Sequence, residues 1–308
     1  PPRNMLGKFR QNLAVPPKRI VRFFFSTTSP LRSPPQPPPS KYYSRRNVEF
    51  LVNECRSLVP HDDKFPDAGT VSHLLDSAES FVSTWAHTDK LFDSSGVPIY
   101  DVTTKSVKMS ADSKKILDAY REAGFANMGS SGLGLPYVVQ CAISSITSSA
   151  FTSQVLGHFV LTQCAGNLLL AHGSQELVDL YHEKLITGDY FGTMALSETQ
   201  AGSSLQHITT KATDSNDGSF AITGTKMWTS GADHDLTDNI IHMLLAKIDG
   251  SDKISLFLVP KFLQDGTRNS YEINGLNHKM GNRAVSNCYW SLENATGYLV
   301  GEADKVRG

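Results

Sequence analysis

The chain has 308 residues, a mass of 33.7 kDa and 40% hydrophobic residues, which is enough to build the cores of two globular units. Its net charge is −1, but the charges are unevenly distributed. The first 48 residues hold ten Lys or Arg and no Asp or Glu, so the rest of the chain contains 19 basic residues and all 30 acidic ones. This acidic body argues against nucleic acid as the main partner, because phosphate-binding surfaces are normally basic. No apolar run approaches the roughly 18 residues of a membrane span, so we expect no transmembrane segment.

The cysteines and histidines give no metal-binding or redox motif. The four cysteines are far apart and form no C-x-x-C pair: Cys55, Cys141, Cys164 and Cys288. This spacing indicates reduced thiols. Asp233, His234 and Asp235 are adjacent, but adjacent side chains rarely point at one metal, so this stretch favours a polar loop. We therefore predict no metal site.

The first 40 residues differ in composition from the rest of the chain. From Met5 to Thr28 the sequence is basic and acid-free, and it interleaves arginines with large apolar residues. This composition is typical of a mitochondrial transit peptide, with an unstructured basic tail as the alternative. Residues 30–39 are mostly proline and predict an extended spacer. We therefore assign residues 1–40 to a transit peptide and spacer and expect the mitochondrial matrix, with cytoplasmic or peroxisomal location as the alternative.

Residues 41–188 show helical periodicity and predict an N-terminal α-helical domain. Apolar residues recur there at three- and four-residue steps, as in Leu74, Leu75, Ala78, Phe81 and Val82. Residues 155–171 are apolar almost all round, which predicts a central helix. Ser174 is placed to cap a last helix, and Gly188 is placed to end it.

After Gly188 the hydrophobic period falls from about 3.6 to about 2 residues, which indicates strands. The candidate strands are 190–197, 208–213, 219–223, 240–247, 254–259 and 285–292. The Asp-Gly pairs at 217–218 and 249–250 predict hairpin turns, because glycine accepts the positive φ that these turns require. The sequence thus predicts an α+β fold, with residues 189–300 forming an antiparallel β-barrel-like domain.

Two segments of the β region carry the strongest functional signal. Residues 191–204 begin as a strand and end in a turn of small residues that includes Gly202 and Ser203. Such a turn exposes backbone N–H groups and lets a flat or anionic ligand approach closely. Residues 224–231 end a strand with Trp228 beside two hydroxyls. Each segment alone could be a surface turn or a core aromatic residue, but together they predict a binding surface for a large, planar, polar cofactor.

This pair of segments resembles the flavin-binding signature of the acyl-CoA dehydrogenase family, in which Thr-Glu-x-x-Ala-Gly-Ser and Lys-x-Trp-x-Thr flank the isoalloxazine. The resemblance extends from about Tyr42 to Gly308, with further landmarks at 224–226, 254–260 and 278–283. Other segments are similar to the branch that includes bacterial enzymes acting on 3-methylmercaptopropionyl-CoA: 43–47, 117–125 and 233–237.

The resemblance implies an FAD-dependent acyl-CoA dehydrogenase of fatty acid β-oxidation, which oxidises an acyl-CoA thioester to the trans-2-enoyl-CoA. It implies electron-transfer flavoprotein as the acceptor and a homodimer or homotetramer when the protein is full length. An acyl-CoA oxidase, or a truncated non-catalytic flavin-binding or interaction module, is the alternative. In this family a C-terminal helical domain carries the catalytic glutamate. We therefore expect residues 301–308 to begin that domain, the general base to lie beyond Gly308, and this chain alone to be inactive.

The resemblance also assigns the cofactor contacts. The first segment would run along the flavin and pyrophosphate, and Trp228 would pack along the isoalloxazine. Ser203 would contact both cofactor and substrate, and Ser230 would direct its hydroxyl toward flavin N5. Met194 stands where an aromatic residue is common, and Ser197 where Thr is usual. The full set of predicted cofactor-binding residues is Met194, Ala195, Leu196, Ser197, Gly202, Ser203, Trp228, Thr229 and Ser230.

Overall fold

The computed structural model describes residues 43–58, 65–85, 96–129 and 132–306. The predicted transit peptide and proline-rich spacer lie outside these ranges. Among the described residues, no helix combines the length and apolar character that crossing a membrane requires.

Helices fill the first part of the described chain, where the 3.6-residue periodicity predicts them. Their bounds are α1 (Arg45–Leu58), α2 (Ala68–Trp85), α3 (Ala111–Glu122), α4 (Tyr137–Gln154), α5 (Leu161–His172) and α6 (Gln175–Thr187). A π-helical segment, Val155–Val160, joins α4 to α5. The predicted ends of α6 are confirmed: Ser174 Oγ accepts a hydrogen bond from the N–H of Leu177 at 3.3 Å, and Gly188 is left-handed with φ 79°.

A two-stranded hairpin interrupts the helices, where the sequence predicts only helical structure. Strand β1 (Ile99–Asp101) pairs antiparallel with β2 (Ser106–Lys108). Asp101 Oδ1 accepts hydrogen bonds from the backbone of Thr103 and Thr104, which stabilises the connecting turn. The hydroxyl of Tyr100 donates to the carbonyl of Ile273 at 2.6 Å and so fastens the hairpin to the β region.

Seven further strands form one sheet after Gly188. They are β3 (Tyr190–Ala195), β4 (Lys211–Asp214), β5 (Phe220–Ser230), β6 (Asn239–Ile248), β7 (Ile254–Pro260), β8 (Tyr271–Leu276) and β9 (Asn287–Val300). The strand order is β3-β6-β4-β5-β9-β7, with β8 beside β9, and β7 also pairs with β6. The sheet thereby closes on itself, and the α+β prediction is confirmed. Most pairs are antiparallel, but β3 and β4 run parallel to β6.

The strands differ in detail from their predicted bounds. The hairpin turns form as predicted, with Gly218 at φ 88° and Gly250 at φ 83°. Strand β8 is not predicted from the sequence, although buried Tyr271 and Ile273 alternate with exposed Glu272 there, because the run is short and contains Asn-Gly. Residues 301–306, predicted to begin a helical domain, return alongside β7, where Val306 pairs with Ile254.

A glycine allows β3 to pack closely against α5. A Cβ on Gly192 would lie 2.5 Å from the Cβ of Ala165 and 3.1 Å from the Cα of Thr162. The hydroxyl of Thr162 accepts a hydrogen bond from the N–H of Gly192 at 2.9 Å. This contact fixes the position of β3 and therefore of the small-residue turn that follows it.

Replacing Gly192 with alanine should destabilise the protein. The added methyl forces α5 away from β3, and overpacking of this kind costs about 1–3 kcal/mol. Urea denaturation measures the free energy of unfolding. Gly281→Ala is the matched control, because a Cβ at that position meets no atom within 4 Å. Equal stabilities of the two variants would contradict the tight β3–α5 contact.

Candidate functional site

A buried ion pair joins the two segments that carry the functional signal. Glu198 Oε1 lies 2.9 Å from Lys226 Nζ, and neither side chain is exposed. The carboxylate of Glu198 also accepts hydrogen bonds from the backbone N–H and hydroxyl of both Thr209 and Thr210. Lys226 Nζ donates further to the carbonyl of Leu196 at 3.2 Å. The additional hydrogen bonds compensate the loss of hydration that makes buried ion pairs costly.

The environment of Glu198 keeps it ionised. Burial alone would raise the pKa of Glu198, but the Lys226 ammonium and the hydrogen bonds from Thr210 and Thr209 together lower this pKa to about 2. A general base works best with a pKa near the operating pH and needs contact with the proton that it removes. Glu198 is enclosed and strongly acidic, so it holds the turn and is no candidate for the base.

The small-residue turn after β3 is closed by its own backbone. Glu198 and Ala201 exchange two backbone hydrogen bonds, of 2.8 and 3.0 Å. Ala201 is buried, whereas Gly202 and Ser203 are exposed. Gly202 is not among the left-handed glycines, and a Cβ on it would meet no atom within 4 Å. Neither backbone strain nor packing within the described protein requires glycine here, so the open space above it is where a ligand can approach.

A β-bulge in β5 turns Trp228 outward. Lys226 lies opposite Trp290 of β9, but Thr229 lies opposite Cys288, so β5 contains one extra residue between these pairs. Trp228 adopts φ 61°, and 57% of it is exposed. Left-handed backbone is a real outlier for a bulky residue, and bulges commonly redirect side chains next to binding sites. The indole thus forms an exposed apolar wall.

Asn287, at the start of β9, holds the bulge. Its Nδ2 donates to the carbonyl of Trp228 at 3.2 Å and to Ser230 Oγ at 3.0 Å. Its Oδ1 accepts a hydrogen bond from Asn277 Nδ2 at 2.8 Å. Asn287 is not predicted from the sequence because no local pattern marks it, and its role arises only from strand pairing.

The structure brings the two predicted segments side by side, since the N–H of Met227 donates to the carbonyl of Ser197 at 2.9 Å. Gly202, Ser203 and Trp228 are exposed, and four predicted site residues are half-buried: Met194, Leu196, Ser197 and Ser230. The remaining two have buried side chains. Ala195 packs in the barrel interior, and the hydroxyl of Thr229 accepts a hydrogen bond from Trp290 Nε1 at 3.0 Å. These two positions therefore offer a ligand only backbone atoms.

The polar loop at 233–235 anchors the β1–β2 hairpin. Asp233 Oδ1 lies 2.7 Å from Lys261 Nζ, and its Oδ2 accepts from the N–H of Val107 at 2.7 Å. Asp235 accepts from the N–H of Met109 at 2.9 Å. In the ranges that the structure describes, no group of three or more His, Cys, Asp or Glu side chains is arranged to hold a metal ion.

Residues 193–295 match the sequence model of the family described as acyl-CoA dehydrogenase, middle domain. This part of the chain is thus similar to the middle domain of acyl-CoA dehydrogenases. It is 42% identical over 180 residues to 3-methylmercaptopropionyl-CoA dehydrogenase of Ruegeria pomeroyi, and this match covers 56% of the chain but 30% of that relative. The predicted resemblance is therefore confirmed. The chain spans a minor part of the length of the curated relatives that it matches.

Solved structures of acyl-CoA dehydrogenases share the fold. The acyl-CoA dehydrogenase of Bacillus anthracis complexed with FAD has a TM-score of 0.60 at 22% identity, over 80% of this chain and 39% of that one. Caenorhabditis elegans ACDH-11 in complex with C11-CoA has a TM-score of 0.67 at 16% identity, over 84% of this chain and 46% of that one. The acyl-CoA dehydrogenase-like fold predicted for the chain is thus confirmed.

Breaking the ion pair from one side should strongly destabilise the protein. Lys226→Met leaves the Glu198 carboxylate buried without its counter-charge, which typically costs about 3–5 kcal/mol. The double variant Lys226→Met/Glu198→Gln should recover part of this loss, because no buried charge remains. Chemical denaturation of both variants and the wild type measures the difference. A double variant less stable than Lys226→Met would contradict this account.

The same carboxylate should make stability depend on pH in acid. The pKa of Glu198 is about 2 in the folded chain, below its ordinary value of 4.5. Its contribution is therefore fully present above about pH 4.5 and is lost as the pH falls toward 2. In Glu198→Gln the unfolding free energy should fall less steeply across that window, as followed by denaturation at a series of pH values. Parallel curves for variant and wild type would exclude this role.

Proposed function

We propose that this chain is the flavin-binding part of an FAD-dependent acyl-CoA dehydrogenase. One observation carries the proposal: Trp228 stands exposed on a strained bulge, and its neighbour Met227 is hydrogen-bonded to Ser197, in the segment that leads to the open turn at Gly202 and Ser203. An indole face is a wall for a planar ring, and an open turn with a hydroxyl suits a polar or anionic group. FAD contains both parts. The family match and the FAD complex of the Bacillus anthracis neighbour support this cofactor.

When bound, FAD supplies the hydride acceptor for oxidation of an acyl-CoA thioester to the trans-2-enoyl-CoA. The residues of this chain bind the cofactor and orient it. Trp228 excludes water from the surface that it covers, and the ion pair of Glu198 and Lys226 fixes the spacing of the two segments. Ser230 Oγ already accepts a hydrogen bond from Asn287, so its own proton remains to be donated to a ligand. Ser203 offers a second exposed hydroxyl.

The α-proton of the substrate requires a general base. Glu198 is the sole carboxylate within residues 191–204 and 224–231, and its pKa and burial exclude it. We propose that the base is supplied from beyond Gly308, as the family resemblance implies. Electron-transfer flavoprotein as acceptor, and a homodimer or homotetramer as the assembly, belong to the same proposal. The 42% identity to 3-methylmercaptopropionyl-CoA dehydrogenase supports an acyl-CoA as the substrate class.

Substitution of Gly202 in the turn tests the proposed flavin-binding surface. Gly202→Ala should weaken FAD binding while changing the unfolding free energy by less than about 0.5 kcal/mol, because its methyl enters only the space left for the ligand. Gly224→Ala should instead destabilise the fold, since its Cβ would lie 2.7 Å from the Cα of Thr210. Equilibrium dialysis against FAD and urea denaturation separate the two effects. Unchanged FAD affinity in Gly202→Ala would place the cofactor elsewhere.

Truncating single side chains shows how much each proposed contact contributes to FAD affinity. Trp228→Ala should weaken FAD binding more than Ser203→Ala, because burying an aromatic face contributes about 1.5–3 kcal/mol and a neutral hydrogen bond about 1 kcal/mol. Trp228→Phe is the control that keeps a flat ring, and it should retain most of the affinity. Full affinity in both alanine variants would contradict the proposed surface.

We also propose that residues 5–28 direct the protein to mitochondria. A fluorescent protein fused to residues 1–45 should enter the organelle. Replacing Arg10, Arg19 and Arg22 with Glu should abolish import, because recognition relies on a basic amphipathic segment. Cytosolic fluorescence of the unaltered fusion would refute this part of the proposal.

A further inference from the structure

A cavity lies at the start of β9 and is lined in part by Asn287, whose Nδ2 also donates to the carbonyl of Trp228. It has a volume of about 400 Å³, within the roughly 300–1,000 Å³ that small-molecule sites occupy. One wall is the segment before β1, at Val97 and Pro98. The other wall is the stretch from the end of β8 to the start of β9, residues 276–287, which we call the basic loop.

Two half-buried cations of the basic loop, Lys279 and Arg283, line this cavity. Lys279 Nζ donates to the carbonyl of Asn282, and Arg283 Nε donates to the carbonyl of Lys279 at 3.1 Å. These bonds hold the two side chains in place but leave the terminal nitrogens of the guanidinium and two ammonium protons for other acceptors. The basic loop is therefore built around positive charge that faces the cavity.

No described carboxylate neutralises these cations. Neither Lys279 nor Arg283 forms an ion pair in the described part of the chain, and the described residues that line the cavity include no Asp or Glu. Burial lowers the pKa of Lys279, and the Cys288 side chain opposes this shift only in part. Holding two cations partly out of water without counter-charge is costly, and a bound anion relieves this cost.

The remaining lining residues suit the non-ionic part of a small ligand. Asn277 and Ser286 add polar groups, and exposed His278 adds a ring nitrogen at the rim. Val97, Pro98 and Val285 give an apolar wall. The cavity therefore combines a cationic end with space for a partly apolar group.

We propose that this cavity is a binding subsite for a phosphate group, held by Lys279 and Arg283. A guanidinium matches two phosphate oxygens at once, and an ammonium adds a compact charge. The phosphate comes either as the free ion or as part of a nucleotide-bearing ligand, and the two sources share this chemistry. The subsite does not depend on the proposed flavin surface, because it is formed by other residues.

Asn287 links the subsite to the Trp228 bulge. It lines the cavity, and its Nδ2 holds the carbonyl of Trp228 at 3.2 Å. An anion that draws Asn277 or Asn287 toward the cavity changes the restraint on the bulge. Binding in the cavity should therefore change the fluorescence of Trp228, and the change should be absent from Trp228→Phe.

Isothermal titration of the 308-residue chain at constant ionic strength tests the subsite. Inorganic phosphate and ADP are the two probes. Lys279→Gln and Arg283→Gln should each weaken phosphate binding by about tenfold or more, because each removes a charge-assisted hydrogen bond. Lys253→Gln is the matched control, since Lys253 is an exposed cation in the turn between β6 and β7, and it should leave binding unchanged. Tighter binding of ADP than of phosphate indicates a nucleotide source, and equal binding indicates the free ion.

Two outcomes overturn the proposal. One is the absence of measurable phosphate and ADP binding to the wild-type chain. The other is an equal loss of affinity in Lys253→Gln, which would show general attraction by surface charge. Because the two loop substitutions remove internal hydrogen bonds, Arg283→Lys serves as a charge-retaining check. If Arg283→Gln fails to fold, weaker binding by Arg283→Lys, with its single donor group, still supports the bidentate contact, and unchanged binding counts against it.

Discussion

The ion pair between Glu198 and Lys226 is the constraint on which the candidate site depends. Glu198 belongs to the turn after β3 and Lys226 to β5, so the pair ties together segments 28 residues apart. Both groups are removed from water, and each makes further hydrogen bonds to the backbone or to threonine hydroxyls. A buried charge without its partner is so unfavourable that the two segments have essentially one stable relative position.

Close backbone packing makes this pair possible. Gly224 lets β5 approach Thr210, whose hydroxyl then reaches Glu198. On the other side, Gly192 lets β3 approach α5, so the turn starts from a fixed point. Because small residues occupy these positions, the turn is held close to the packed helices and barrel, while its outer face remains open. The site is exposed at its surface but rests on close-packed structure.

The parts of the site that sequence predicts are those with local chemistry. The small-residue turn and the caps of α6 each follow from a few neighbouring residues, and both are present in the structure. The β1–β2 hairpin and Asn287 are different, because each is defined by partners far away: Asp233 and Asp235 for the hairpin, Trp228 and Ser230 for Asn287. Motif membership also cannot say which way a side chain points. Ala195 and Thr229 belong to the two segments but face the interior, and the bulge beyond Lys226 changes the alternation that strand geometry alone would give.

The bulge at Trp228 has a consequence for how a ligand is received. The unfavourable backbone conformation is already adopted in the free chain and is held there by Asn287 and by pairing with β9. A ligand that covers the indole therefore meets a surface that is preorganised, and little conformational entropy remains to be lost when it arrives. The cost of arranging this wall is met during folding, so ligand affinity depends on how stably β5 and β9 are paired as well as on the atoms that touch the ligand.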